Sequence, residues 1–180
     1  MILVVAATQE ELRGAGGGST LVCGVGPVEA AARTAAELQA LQRLKAVLNV
    51  GIAGARTFDA PKAVIGTEAV YCDADDPRWI ELHTPADPTL LDAARRALPA
   101  ARAEAIGTSA RVGGSTGCEV EAMEGYAVLR AAALAGIPAI EVRVLANAIG
   151  EPDRSLWRFD EAKAVLAELL PGLIKELAHA

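Results

Sequence analysis

Aromatic residues, cysteine and histidine are all scarce in this chain of 180 residues. Aromatics make up 3% of the sequence and hydrophobic residues 52%, so the core must consist of Ala, Val, Leu and Ile. The three cysteines, Cys23, Cys72 and Cys118, are odd in number and form no Cys-x-x-Cys pair. This usage predicts small buried thiols in a reducing compartment. With histidine at positions 83 and 179 alone, we expect no metal site, and we expect no cofactor.

Positive charge is also in short supply. Lys and Arg number 17 against 23 Asp and Glu, a formal charge of −6, which argues against a nucleic-acid partner and favours a small-molecule substrate. No apolar run reaches the roughly 18 residues of a membrane span. The first segment lacks a basic region and predicts a buried strand rather than a signal peptide. We therefore expect a cytoplasmic protein without a membrane partner.

Apolar runs alternate with helical patterns along the whole sequence. The pattern predicts strands over 1–7, 19–25, 45–51, 63–71, 103–112 and 138–145, and helices over 28–41, 89–98, 119–136 and 160–179. Residues 72–88 lack periodicity and predict an irregular lobe. Such alternation is typical of an α/β fold, a three-layer αβα sandwich around a mixed, mostly parallel twisted sheet. The length and the lack of a composition break indicate a single domain over residues 1–180.

Ligands of open α/β sheets bind beyond the carboxyl ends of the strands, so polar residues at those positions are site candidates. They are residues 8–11, 24–26, 49–54 and 146–147, together with the glutamates at 119, 121 and 124 near a predicted helix start. The glutamates have an alternative role, because carboxylates also stabilise the first turn of a helix.

Two glycine-rich segments invite a phosphate-binding interpretation that their spacing does not favour. The 24–27 turn has Glu29 where a dinucleotide-binding turn has its third glycine, so a tight strand-to-helix turn is expected. No Gly-Lys-Ser/Thr follows residues 14–18, which predict a flexible hairpin. Neither segment indicates a nucleotide cofactor.

Arg143 interrupts an otherwise apolar strand. A buried guanidinium needs a carboxylate partner, so Arg143 and one of the glutamates at 10, 11, 119, 121 and 124 are expected to share a site.

Four motifs, in this order, resemble those of the nucleoside phosphorylase/hydrolase family. They are AATQEEL (6–12), NVGIAGA (49–55), EAMEGYAV (121–128) and EVRVLAN (141–147). The resemblance covers most of the chain except about 72–100. It implies the family's fold and a site for a purine nucleoside, in a homo-oligomer that is a dimer or larger.

The resemblance also implies roles for individual residues. Glu11 would activate the attacking water with help from Arg143, and Asn147 would contact the N7 edge of the purine. The substrate-binding set would contain Ala53 and Gly54 of the Ala-Gly loop, Val112 near the base, Met123 under the ribose and Glu124 on the ribose hydroxyls. Arg111 stands where adenine-specific relatives stack an aromatic ring, which leaves base stacking open.

Two departures from family patterns refine the expected reaction. Adenine-specific nucleosidases carry Asp at the position of Asn147. An amide offers both a donor and an acceptor, which suits the O6 and N7 edge of hypoxanthine. The Gly-Asp-Pro-x-Arg loop and the Ser/His-rich anion loop of the phosphorylases are both missing, and position 52 is Ile. Hydrolysis is therefore expected rather than phosphorolysis.

The segment 147–157 resembles a run in one branch of the family. Hydrolases of that branch serve menaquinone biosynthesis and cleave an inosine that bears a carboxyphenyl ketone at C5′. The resemblance implies that Arg154 meets the substrate carboxylate, with a loop salt bridge as the alternative. Trp157 would line the site or anchor the loop to the core. Pro152 replaces the arginine expected at its position.

Two other functions stay open at this point. The first is a methylthioadenosine/adenosylhomocysteine nucleosidase, against which Asn147 argues. The second is a non-catalytic nucleoside-binding module, against which the joint presence of Glu11, Met123, Glu124 and Arg143 argues. The lobe with Trp79 and His83 is poor in core-forming residues and is expected to need a partner subunit.

Overall fold

A computed structural model describes residues 1–41, 43–115 and 117–180 of the chain. The described residues form eight strands, and two short 3₁₀ turns lie at Glu10–Leu12 and Arg154–Leu156. The strands are β1 (Ile2–Ala6), β2 (Ser19–Val22), β3 (Ala46–Ala55), β4 (Ala63–Tyr71), β5 (His83–Pro85), β6 (Arg102–Thr108), β7 (Val120–Ala122) and β8 (Ala139–Ala148). The helices are α1 (Pro27–Ala40), α2 (Pro88–Ala97), α3 (Gly125–Leu134) and α4 (Phe159–Ala178).

The strands form one mixed sheet in which parallel pairs predominate. β1 pairs in parallel with β2 and β3, β3 with β8, and β6 with both β4 and β7. The antiparallel pairs are β3 with β7, β4 with β5, and β4 with β8. Strands β3, β8, β4, β6 and β7 are thereby paired in a closed ring, and β1 and β2 extend the sheet from β3.

Helices cover both faces of the sheet. On one face α2 and α4 pack with a cluster that includes Leu48, Leu166 and Leu170, and on the other α1 and α3 pack with a cluster that includes Val47 and Leu129. A third cluster draws its buried residues from the five ring strands alone. Successive strand residues point to opposite faces, so the near-continuous apolar runs of β1 and β8 serve two cores at once. The predicted three-layer sandwich around a mixed, mostly parallel sheet is confirmed.

The glycine-rich segment 14–18 is not the predicted hairpin. β1 and β2 run parallel, so the chain between them must cross back to the starting edge rather than turn in two residues. Gly14 has φ 88° and lies against α4, where an added Cβ would come within 2.2 Å of the carbonyl oxygen of Ala167. The segment thus serves as a close-packed crossover.

Several other boundaries also differ from the sequence prediction. β3 continues past its predicted end at Gly51 to Ala55, so residues 52–54 are also strand and pair with β8. β8 likewise continues to Ala148 and includes Asn147. The helix predicted from 119 begins at Gly125, because Val120–Ala122 pairs with β3 and β6 instead.

Within the described part of the chain, none of the helices combines the length and the hydrophobicity of a membrane span. Cys23 and Cys118 are buried as predicted, whereas Cys72 is half-buried.

Candidate active site

A cleft of about 520 Å³ opens where several strands end, and it collects most of the residues singled out from the sequence. Nine of the predicted site residues line it: Glu11, Ala53, Gly54, Val112, Met123, Glu124, Asn147, Arg154 and Trp157. The tenth, Arg143, is 1% exposed and lies beneath the cleft, where it contacts residues that line it. Glu11 and Arg154, which are 143 residues apart in the sequence, therefore line the same cleft.

The carboxylate of Glu11 is buried and held by three hydrogen bonds. The Thr8 backbone amide and hydroxyl donate to Oε2 at 3.0 and 2.8 Å, and the Ile52 amide donates to Oε1 at 3.0 Å. Glu11 belongs to the 3₁₀ turn that follows β1. The short turn explains the local geometry, because it brings the residue three positions after Thr8 back over the strand end. The carboxylate is thereby fixed in one orientation at the floor of the cleft.

Alternate residues of β3 lie beside the buried charged groups under the cleft. Asn49, Gly51 and Ala53 occupy one face of the strand, as the two-residue period requires. A Cβ at Gly51 would lie 2.4 Å from Nη1 of Arg143 and 2.7 Å from Oε1 of Glu11. Because Gly51 has no side chain, the guanidinium of Arg143 and the carboxylate of Glu11 can both approach the strand at this point.

Each of the three nitrogens of the Arg143 guanidinium donates to an acceptor of the protein. Nε donates to Oε1 of Glu141 at 2.7 Å, Nη2 to Oδ1 of Asn49 at 2.7 Å, and Nη1 to Oε2 of Glu124 at 3.3 Å. Burial would lower the pKa of Arg143, but the carboxylates of Glu141, Glu124 and Glu11 more than offset it and raise the pKa. The buried arginine thus has the carboxylate partners that the sequence required, and it remains a cation.

Glu124 is placed at the start of α3 and faces the cleft. Its Oε2 accepts from Arg143 and its Oε1 accepts from the Gly26 amide at 3.0 Å. The backbone amide of Gly26, in the turn over 24–27, thus donates to the Glu124 side chain. Each carboxylate oxygen has a further lone pair, so Glu124 can still accept hydrogen bonds from a ligand. Met123 beside it is half-buried and lines the same wall.

A bulge in β8 turns Asn147 toward the cleft. Leu145 pairs with Ala53 and Asn147 with Gly54, so Ala146 is the extra residue on the β8 side. A bulge of this kind redirects the side chain that follows it. Nδ2 of Asn147 donates one hydrogen to the Ala148 carbonyl at 2.9 Å, and the amide keeps a second hydrogen and an acceptor oxygen.

A loop with Arg111 and Val112 forms one side of the opening. Both residues are exposed and line the cleft. Glu121 holds the loop from below, since it accepts from the Gly113 amide at 2.5 Å and from the Ser115 hydroxyl at 2.7 Å. The sequence prediction had grouped Glu121 with a helix start, but it lies in β7 and anchors this loop.

The segment 150–157 forms the opposite side of the opening. Arg154 lies 5.3 Å from the centre of the Trp157 ring, and Trp157 meets Phe159 edge-on. Among the described residues Arg154 forms no ion pair, so the alternative of a loop salt bridge is not seen. Arg154, Trp157 and Val112 also line a second cavity of about 250 Å³, which therefore adjoins the cleft.

A cysteine beside the site is not in a nucleophilic state. Burial and the neighbouring Glu124 raise the pKa of Cys23 to about 12, so the thiol stays protonated near neutral pH. Among residues 1–41, 43–115 and 117–180, no His, Cys, Asp and Glu side chains cluster in a way that could hold a metal ion.

Several residues of the site were not singled out from the sequence. Thr8, which fixes Glu11, was noted as a polar residue after β1 but given no role. Asn49, within the strand predicted over 45–51, is one of the polar site candidates but has no assigned role there, and it holds Arg143. Glu141 was missed altogether, although it lies two positions before Arg143, where a strand places it on the same face. That spacing was the available signal.

No family model matches the chain. A futalosine hydrolase of Streptomyces coelicolor is 44% identical over 57 residues, which are 32% of this chain and 24% of that protein. The match thus spans about a quarter of the relative's length.

Solved structures resemble the chain over nearly its whole length. An S-adenosylhomocysteine nucleosidase from Streptococcus pyogenes matches with TM-score 0.84 and 21% identity, over 98% of this chain and 96% of that one. A futalosine hydrolase mutant of Helicobacter pylori matches with TM-score 0.83 and 16% identity, over 99% and 98%. The chain therefore has the fold of the nucleoside phosphorylases and methylthioadenosine/S-adenosylhomocysteine nucleosidases, which its motifs predict.

Proposed function

We propose that the protein is a purine nucleosidase that hydrolyses the N-glycosidic bond of a 5′-modified 6-oxopurine nucleoside, with futalosine as its substrate and hypoxanthine as the released base. The observation that carries the proposal is the approach of Glu11 and Arg143 to one point beside Gly51, at the floor of a cleft that Glu124 and Asn147 also line.

Water activation would fall to Glu11. Its carboxylate is oriented by Thr8 and Ile52, and Nη1 of Arg143 lies near the same point beside Gly51. A water between these two groups would donate to the carboxylate and accept from the guanidinium. As the glycosidic bond breaks, the base leaves with the bonding electron pair and takes up a proton from solvent. The electron-poor C1′ is attacked by the water, which loses a proton to Glu11. Positioned acid–base help of this kind contributes roughly 10²–10⁴ in rate.

Glu124 and Asn147 would hold the two halves of the substrate. Glu124 faces the cleft with free lone pairs for the ribose 2′- and 3′-hydroxyls, and Met123 would cover the sugar. The Asn147 amide would bind the O6 and N7 edge of the base and stabilise the charge that gathers on it. With N7 protonated on the departing base, the Asn147 oxygen would accept from N7–H and Nδ2 would donate to O6, whereas a 6-amino group is itself a donor and would leave Nδ2 without an acceptor.

The charge around Arg143 favours water over phosphate as the nucleophile. Three carboxylates, those of Glu11, Glu124 and Glu141, surround this one guanidinium. A phosphate dianion at the same point would meet more negative than positive charge, and its desolvation would have no compensation. Neutral water meets no such barrier, so hydrolysis is favoured over phosphorolysis.

The opening of the cleft suits a large anionic 5′ group. Trp157 and Val112 offer apolar contact, and Arg154 has a charge with no carboxylate partner among the described residues. The second cavity gives about 250 Å³ beyond the main cleft. An aromatic ring with a carboxylate, as in futalosine, matches this combination, and the partial identity to a futalosine hydrolase supports the same substrate.

The Glu11→Gln variant tests the proposal. The amide keeps the size of the side chain but cannot take a proton from water, so futalosine turnover should fall by roughly 10²–10⁴. Binding of futalosine, measured by calorimetry, should stay within about threefold. Glu168→Gln, an exposed change of the same charge on α4, serves as the control. If wild-type protein binds futalosine without releasing hypoxanthine, the chain is a binding module and the proposal is wrong.

A further inference from the structure

Glu141 is a fully buried carboxylate that the proposed reaction does not use. It is 0% exposed and, among the described residues, lies outside the set that lines the cleft. One of its oxygens accepts the 2.7 Å hydrogen bond from Nε of Arg143. The other, Oε2, is buried without a hydrogen-bond partner. A buried acceptor left without a partner is costly, so its retention calls for a physical reason.

The register of the sheet shows what Glu141 acts upon. Glu141 pairs with Asn49 and Arg143 with Gly51, so the four residues form two neighbouring rows across β3 and β8. Arg143 is thereby bound on two sides, by Glu141 at Nε and by Asn49 at Nη2. A planar guanidinium held at two of its three nitrogens cannot rotate. The third nitrogen, Nη1, is left directed at Glu124 and at the point where Glu11 approaches.

The start of α3 is adapted to the same carboxylate. A Cβ at Gly125 would lie 2.2 Å from Oε2 and 2.3 Å from Oε1 of Glu141. Any larger residue at 125 would therefore push the carboxylate away from Arg143. Gly125 follows Glu124 directly, so the helix start places the substrate-facing glutamate while leaving room for the buried one.

We propose that Glu141 is a positioning residue, which fixes the guanidinium of Arg143 from beneath the cleft so that Nη1 serves Glu124 and the attacking water. This inference rests on the proposed function. Glu141 acts through the carbonyl-type acceptor that it offers to Nε. Its loss would leave the substrate's contacts in place and misdirect the group that holds the water. Loss of Glu141 should therefore lower kcat and leave KM nearly unchanged.

Two substitutions at position 141 separate the acceptor from the bulk of the side chain. Glu141→Met keeps similar volume without an acceptor, and futalosine kcat should fall about 10- to 100-fold with KM changed less than about threefold, because a misplaced catalytic group costs this much. Glu141→Gln keeps a carbonyl for Nε and should restore kcat to within about threefold of wild type. Equal losses in both variants, or wild-type kcat in the Met variant, would overturn the proposal.

Gly125→Ala tests the same contact without removing the carboxylate, and so covers the case in which the Met variant does not fold. It should lower kcat about as much as Glu141→Met does. Gly172→Ala on α4, where an added Cβ meets nothing within 4 Å, is the matched control. A Gly125→Ala protein with wild-type kcat would contradict the role of Glu141.

A readout independent of turnover distinguishes this inference from the proposed function. In ¹⁵N-labelled protein, the Nε–H of Arg143 should resonate downfield and exchange slowly in the wild type and in Glu141→Gln, and should lose both properties in Glu141→Met. Absence of wild-type turnover with this signal pattern intact would reject the proposed reaction and leave the buried contact standing. Absence of the signal in wild-type protein would reject the contact itself.

Discussion

The orientation of Glu11 depends on a small neighbour, Thr8. Its amide and hydroxyl both donate to Oε2, so the carboxylate is held by the residue three positions earlier as well as by β3. A hydrogen bond to a charged group is worth about 1.5–3 kcal/mol. Thr8 therefore contributes to the proposed reaction without a role of its own in the chemistry.

Removal of the Thr8 hydroxyl should weaken turnover more than binding. In Thr8→Val the side chain keeps its shape but cannot donate to Glu11, and futalosine kcat should fall about tenfold, the rate equivalent of roughly 1.4 kcal/mol. Thr8→Ser keeps the hydroxyl and should remain within about threefold of wild type. Steady-state hypoxanthine release measures both, and equal rates for Val and Ser would show that the hydroxyl does not matter.

Individual site residues could be predicted from the sequence where their chemistry conflicted with their surroundings. Arg143 was evident because a charge stood inside an apolar strand. Asn49 gave no such signal, since an uncharged amide near the end of a predicted strand does not need a charged partner. Its partnership with Arg143 arises from the β3–β8 register, which local sequence does not specify. The roles assigned to Glu11, Glu124 and Asn147 stay predictions until they are measured.

At the scale of elements, the crossover between β1 and β2 is fixed by contact with α4. Gly14 and Gly16 both have positive φ, 88° and 70°, and both would be strained by a side chain. They differ in their surroundings. A Cβ at Gly14 would meet the Ala167 backbone at 2.2 Å, whereas one at Gly16 would meet nothing within 4 Å.

This pair of glycines gives a controlled test of the crossover packing. Gly16→Ala should lower the free energy of unfolding by about 1–2 kcal/mol, the cost of left-handed backbone for a residue with a Cβ. Gly14→Ala should cost at least about 2 kcal/mol more, because α4 must move as well. Urea denaturation followed by circular dichroism measures the two values. Equal losses would mean that Gly14 does not pack against α4.

Elements with clear end signals were predicted closely, and those without them were not. α1 and α2 begin at Pro27 and Pro88, as expected of proline in the first turn of a helix. The acidic run from Glu119 has the composition of a helix start, yet β6 and β3 recruit Val120–Ala122 into the sheet. Pairing with distant strands decided this segment, and a local pattern does not contain that information.

At the scale of the whole molecule, alternation of strands and helices was enough to predict the layers but not the closed ring of strands. The ring depends on the antiparallel pairing of β8 with β4 and of β7 with β3, which links segments far apart in sequence. The single domain over 1–180 and the homo-oligomer stay predictions. The homo-oligomer can be examined at Trp79, which is 83% exposed and lies in the lobe expected to meet a partner subunit.

The buried charge cluster should make the stability of the molecule depend on pH. Burial raises the pKa of Glu141, partly opposed by Arg143 and reinforced by Glu124. A raised carboxyl pKa stabilises the fold below the ordinary value of about 4.3, and this contribution is lost as pH rises through the raised value. Glu141→Gln cannot titrate. The melting temperature of wild type minus that of the Gln variant should therefore fall as the pH rises above about 4. A constant difference in calorimetric scans would contradict the shift.

The central claim is hydrolysis of a 6-oxopurine nucleoside with a large 5′ group. Its most direct test is base release from futalosine, inosine and methylthioadenosine, with and without phosphate, followed by chromatography. The account predicts hypoxanthine from futalosine, at a rate that phosphate does not change and well above the rate with inosine. Adenine from methylthioadenosine would contradict the role given to Asn147, a requirement for phosphate would contradict hydrolysis, and no release from any of the three would contradict the enzyme.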